Sequence, residues 1–176
     1  LVLSYVAMRK DDKAGLVTFN EYFDTFVPAS KQVGQMQTLL ENLYKQETTF
    51  GETDFSALCG HLGKHVNRRS FLVLYTNFSN MTSLNRQLVY LQQLARQHRV
   101  LVVFFEDADL KEYIAGKSVT TEEYYRHVIA EKFAFEKRLI VSTLKQHGIY
   151  SLLTTPDKLS IDVINKYLEM KSRQLL

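Results

Sequence analysis

The sequence predicts an α/β protein built on a doubly wound, mostly parallel sheet with an antiparallel hairpin at its edge. Residues 71–75 and 100–105 are apolar at every position, as strands covered on both faces are. Helical patterns of ten residues or more separate the strands, and parallel strands joined that way need right-handed crossovers that place helices on both faces. Residues 15–27 instead carry two β-prone runs around the short link Asn20-Glu21, which reads as a hairpin.

In chain order, residues 1–10 read as the last turns of an apolar helix running straight into the first strand. Its apolar flank has no preceding segment to cover it, which predicts that the chain is part of something longer. The hairpin strands are expected at 15–19 and 22–27, with Pro28 closing the second. Ser30 is the expected N-cap of a helix whose inward face is Val33, Met36, Leu39, Leu40, Leu43 and Tyr44. The loop 47–53 leads to a helix that buries Phe55, Leu58, Cys59, Leu62 and Val66. After the strand at 71–75, a helix entered through Thr82 or Ser83 turns Leu84, Leu88, Leu91 and Ala95 inward. Beyond 100–105, a capping box at Thr120 and Glu123 opens a long helix with Tyr125, Ile129, Phe133, Ile140 and Leu144 on one stripe, stopped by Gly148. A strand at 149–153 precedes Pro156, placed in the first turn of a last helix with Ile161, Ile164 and Leu168 inward.

The chain has 176 residues, 45% of them hydrophobic and 23% charged, enough for one sizeable core, so a single domain over 1–176 is the expectation. No run of 18 apolar residues spans a membrane, and the lone Cys59 makes no internal disulfide. The formal charge of +3 is uneven: residues 1–60 carry 5 Lys/Arg against 8 Asp/Glu, and residues 61–176 carry 17 against 11. That imbalance is not the dense basic stripe of a nucleic-acid binder, and no such partner is expected.

In an open α/β sheet, ligands bind beyond the carboxyl ends of the strands. Thr76, Asn77, Ser79 and Asn80 follow the strand at 71–75, Glu106, Asp107 and Asp109 follow the next, and Thr154 and Thr155 follow the last. The loop at 51–54, with Thr53 and Asp54, is expected at the same edge. Their oxygens suit a hard cation or polar recognition. Each also has a plainer duty: Asp54 as a helix cap, Asp107 or Asp109 as caps of a short helix at 110–115, Ser79 and Asn80 as turn formers.

The runs 68–77, 51–54 and 102–107, together with the ending Asn165-Lys166-Tyr167-Leu168-Glu169-Met170-Lys171, resemble a bacterial family numbered fifty-eight among domains of unknown function. The resemblance covers nearly the whole chain, and the family's fold is similar to the Rossmann-like von Willebrand factor A domain. Such domains hold a divalent cation with a DxSxS loop after the first strand, a threonine and an aspartate. The resemblance places Thr53 at the threonine and Asn77 at the aspartate, while no DxSxS occurs in these residues. It therefore implies a degenerate, incomplete site of Thr53 and Asn77, with no cofactor in this chain alone and Mg2+ only if a DxSxS loop lies upstream. A first strand at the sheet centre, between the strands at 15–19 and 71–75, would be lacking; upstream residues, another chain or an altered strand order would have to compensate. Relatives also imply a MoxR-type AAA+ ATPase as partner and a place on the bacterial cytoplasmic side, tethered to the inner membrane by residues outside this chain.

Other constellations are weaker. His61 and His65 have a zinc-chelating spacing but no third ligand, and Cys59 on an apolar face reads as packing rather than as a nucleophile. Phosphate-binding glycine loops and nucleophile elbows are absent from the sequence. The expectation is a non-enzymatic protein-protein interaction module, with a metal-dependent hydrolase using Glu106, Asp107 and Asp109, or a small-ligand binder at the same edge, as alternatives.

Overall fold

The two apolar runs pair side by side and parallel, as the sequence predicts. The computed structural model describes residues 1–20, 23–47, 53–78, 80–106 and 120–176. Its elements are α1 (Val2–Arg9), β1 (Ala14–Phe19), β2 (Phe23–Ser30), α2 (Gln35–Tyr44), α3 (Phe55–His65), β3 (Phe71–Tyr75), α4 (Met81–Gln97), β4 (Arg99–Phe105), α5 (Thr121–Gln146), β5 (Tyr150–Thr154) and α6 (Leu159–Ser172). The chain divides into two compact units, Leu1–Asn67 and Arg68–Leu176.

In the second unit a three-stranded parallel sheet has the order β3-β4-β5. α4 and α5 touch each other, as the right-handed rule expects for this strand order, which places both helices on one face. Lys137 of α5 lies over the Phe104 ring on that face. The other face belongs to α6, whose Tyr167 stacks on Phe71 at 6.4 Å. Central β4 is buried from Val100 to Phe104. At the edge, β3 is less covered than its composition predicts: Leu74 is buried but Tyr75 is exposed, because only β4 flanks it among the described residues.

Helix ends follow local chemistry. Asn80, rather than Thr82 or Ser83, caps α4: its Oδ1 accepts the Ser83 N–H, and Ser83 completes the box from the third position. Thr120 and Glu123 form the expected box at α5, and Gly148 at φ +72 ends that helix. Pro156 falls in the turn before α6, not in its first turn.

The inward faces of two helices differ from their sequence patterns. In α5 only Ala130, Ile140 and Leu144 are buried, whereas Tyr125, Ile129 and Phe133 are exposed. A helix of 26 residues is about 39 Å long, against about 23 Å for the seven-residue β4, so its first half runs past the sheet. In α6 the buried stripe is Val163, Tyr167 and Met170 rather than Ile161, Ile164 and Leu168. In α4, Leu84, Leu91 and Leu94 are buried, with Leu88 and Ala95 only partly so.

In the first unit β1 and β2 form an antiparallel sheet of their own, not the edge of the parallel one. Its β2 continues through Pro28 to Ser30. The register steps from Ala14↔Ser30 to Leu16↔Val27, so β2 carries one extra residue opposite Gly15, and this bulge absorbs the proline. A Cβ at Gly15 would lie 2.8 Å from the Val27 carbonyl and 2.9 Å from the Ala29 nitrogen, so the close crossing requires glycine. Gln35 then closes the bulge: its Nε2 donates to the carbonyls of Ala14 (2.8 Å) and Pro28 (3.0 Å). Because Gln35 must point inward, α2 begins there, after Gly34 in the left-handed region, and Ser30 only accepts the Gln32 N–H. Leu39 is buried beside it with Ala14 and Val27, while Val33, Leu40 and Tyr44 face outward. The expected face of α3 holds: Phe55, Leu58, Cys59 and Leu62 are buried, and Val66 is half-buried.

Candidate functional site

Parallel strands end together, so the residues after β3, β4 and β5 share one edge of the second unit. Thr76 is tied to it by its backbone N–H, which donates to the Val103 carbonyl at 3.0 Å. Asn77 is exposed and its Oδ1 accepts from Lys137 Nζ at 2.7 Å. The same ammonium donates to the Phe78 carbonyl at 2.7 Å and lies 5.6 Å from the Phe104 ring centroid. Phe78 is buried edge-on against Phe104, which fixes the loop that presents Asn77.

Glu106 belongs to the same edge and donates its backbone N–H to the Thr154 carbonyl at 2.9 Å. Thr154 is buried, and its hydroxyl donates to the Asp162 carboxylate in the first turn of α6. The Thr155 hydroxyl donates to Asp157, the first cause that holds this exposed carboxyl below its ordinary range. Thr154 and Thr155 therefore bind the α6 entrance. Ser79, Asp107 and Asp109, and the helix expected at 110–115, lie outside the described residues.

Thr53 and Asp54 belong to the first unit. Asp54 takes the capping role: its carboxylate accepts the N–H groups of Ser56 (2.7 Å) and Ala57 (3.1 Å) at the start of α3. Thr53 is half-buried just before it, and residues 48–52 lie outside the described set. On the same helix, burial and then the Asp54 charge push the Cys59 thiol up to about 11, so it is protonated near neutral pH. His61 and His65 stack at 6.0 Å, with Phe26 5.3 Å from His65. Among the described residues no group of three or more His, Cys, Asp or Glu side chains is placed to hold a metal ion.

One residue important to this arrangement carries no motif. Lys137 stands among Phe133, Ile140 and Leu144 at helical spacing, and a lysine within an apolar stripe is the signal that marks it. The Tyr167 and Lys171 pair of the terminal pattern packs the sheet: Tyr167 is buried and Lys171 Nζ approaches its hydroxyl at 3.5 Å.

These elements define a mixed α/β protein with a parallel three-stranded sheet and a separate antiparallel pair. The sequence profile of the family described as Protein of unknown function DUF58 matches residues 1–117. That is well over half of the chain, and the chain belongs to this family. The match stops short of the nearly complete coverage expected and leaves the pattern at 165–171 outside it. No curated protein and no solved structure matches the chain. Among the described residues no helix is long and apolar enough to cross a membrane.

Proposed function

We propose that this chain is a non-enzymatic protein-protein interaction module of the von Willebrand factor A kind. It offers the loops at the carboxyl edge of β3, β4 and β5 to a protein partner, a MoxR-type AAA+ ATPase being the class that family resemblance suggests. The observation that carries the reading is the Lys137 ammonium seated 2.7 Å from both Asn77 Oδ1 and the Phe78 carbonyl. A divalent ion bound at Asn77 would sit against that ammonium, and like charges a few ångströms apart repel strongly where water is partly excluded. A resident lysine there supports a degenerate adhesion site, in which the chain's own cation holds the loop that carries Asn77. Mg2+ would enter only with carboxylates supplied from an upstream DxSxS loop, and tethering at the cytoplasmic face of a bacterial membrane belongs to the same reading.

Calorimetric titration of a purified MoxR-type ATPase with the chain tests it. Binding is expected to be unchanged by Mg2+, and Lys137→Glu is expected to weaken it by about tenfold or more. Absence of binding, or affinity that appears only with Mg2+, would contradict the proposal.

A further inference from the structure

The strand starts of the second unit share its amino edge, opposite the loops described above, and the charge there is one-sided. Arg68 and Arg69 lead into β3, Arg96 lies in the last turn of α4, Arg99 opens β4 and Lys145 lies in the last turn of α5. Hydrogen bonds draw these ends together. The Arg99 N–H donates to the Ser70 carbonyl at 2.8 Å, Gln92 Nε2 lies 2.9 Å from His147 Nδ1, and Arg99 Nε donates to the Leu175 carbonyl beyond α6 at 3.1 Å. Three strands span only about 10 Å, so the cations crowd a small area. Residues 68–105 and 137–156 together hold eight Lys and Arg and no Asp or Glu. Glu169, in the last turn of α6, is already taken by Lys166 at 2.9 Å and Arg173 at 3.2 Å.

A cation at a helix end complements the dipole, which accounts for Arg96 and Lys145 but not for Arg68 and Arg69. All four are exposed in the complete chain, and among the described residues none of these side chains has a hydrogen bond or an ion pair. A site that reads a partner of fixed shape holds its arginines in place with neighbouring groups. Cations on free stems suit instead a fluid array of anions that rearranges to meet them. Nucleic acid would need more than charge: aromatic rings for its bases, or helix N-termini for its phosphates. The exposed rings described in this unit lie at the far end of β3 and on α5 before Lys137, and α4, α5 and α6 turn their carboxyl ends to the amino edge. We infer that the amino edge is a peripheral membrane-binding surface, which Arg68, Arg69, Arg96 and Lys145 hold against the anionic headgroups of a phospholipid bilayer. It uses the edge opposite the one offered to the protein partner above and does not depend on that partner.

Co-sedimentation of the full chain with lipid vesicles tests this. In about 0.1 M salt the chain should bind phosphatidylcholine vesicles that carry about 30% phosphatidylglycerol, should not bind phosphatidylcholine alone, and should release in about 0.5 M salt. Each cation near such a surface is worth about fivefold in partitioning, so Arg68→Gln with Arg69→Gln should weaken binding by about 30-fold. Arg96→Gln with Lys145→Gln should weaken it alike. The same loss of charge at Arg126 and Lys132, about 29 and 20 Å from Lys145 along α5 and so beyond the Debye length of about 10 Å, should change binding by less than about twofold. No binding to the anionic vesicles, equal binding to neutral ones, an equal loss when Arg126 and Lys132 are replaced, or tighter binding to a DNA duplex than to the vesicles would each overturn the inference.

Discussion

The two units hold their sheets together by different means. In the second, β4 sits between two strands and under helices on both faces, and its residues from Val100 to Phe104 are buried without a polar group among their side chains. In the first, two strands share a small apolar cluster of Ala14, Val27 and Leu39, and geometry does much of the remaining work through the Gly15 crossing and the Gln35 clamp. The contrast teaches that a central parallel strand is specified by apolar area, which tolerates variation in shape. A lone antiparallel pair depends on a few exact contacts.

The sharpest way to break this comparison is to hollow the larger core. Phe104→Ala removes a fully buried ring and should cost about 3–5 kcal/mol in the second unit, read by urea denaturation. A loss below about 1 kcal/mol would mean that β4 is not the centre of the core. In the first unit Gly15→Ala forces a methyl against backbone atoms at 2.8 and 2.9 Å and should cost about 1–3 kcal/mol, a large effect for one methyl group. An unchanged midpoint would refute the tight crossing. Gln35→Ala leaves the Ala14 and Pro28 carbonyls without their donor and should cost about 1–2 kcal/mol, confined to the same unit.

A smaller effect separates the units by pH. His98 is buried at the end of α4, and its Nδ1 accepts the Ser70 N–H at 3.3 Å while the Arg99 N–H donates to the Ser70 carbonyl at 2.8 Å. Burial holds its imidazole below the ordinary value of about 6.5. The unfolded chain therefore takes up the proton first. This contribution is complete above about pH 6.5 and is lost as pH falls from there toward the lowered native value. The second unit's denaturation midpoint should drop with acid more steeply in the native chain than in His98→Gln, and equal slopes would remove His98 from the account.

Much of this was legible from residues alone where one local rule decides. The parallel pairing of β3 and β4 follows from runs without polar alternation, the face of α3 from its spacing, and the ends of α5 from a capping box and a glycine. Elements governed by distant contacts were not legible. Pro28 reads as a strand end until Gln35, seven residues on, is known to satisfy the bulge. In α6, Ile161, Val163, Ile164, Tyr167, Leu168 and Met170 are apolar on more than one side, so periodicity cannot choose the face that meets Phe71. The inward stripe expected for α5 assumes a sheet as long as the helix. At the edge, Asn77 was identifiable from its place after a strand, but its partner Lys137 lies 60 residues away.

Amide hydrogen exchange read peptide by peptide tests the difference between the units most directly. The amides of β4 should exchange last, through global opening of the second unit, while those of β1 and β2 should exchange through a separate opening of lower free energy that Gln35→Ala accelerates and Phe104→Ala leaves alone. One shared protection level across β2 and β4, shifted equally by both substitutions, would contradict the account.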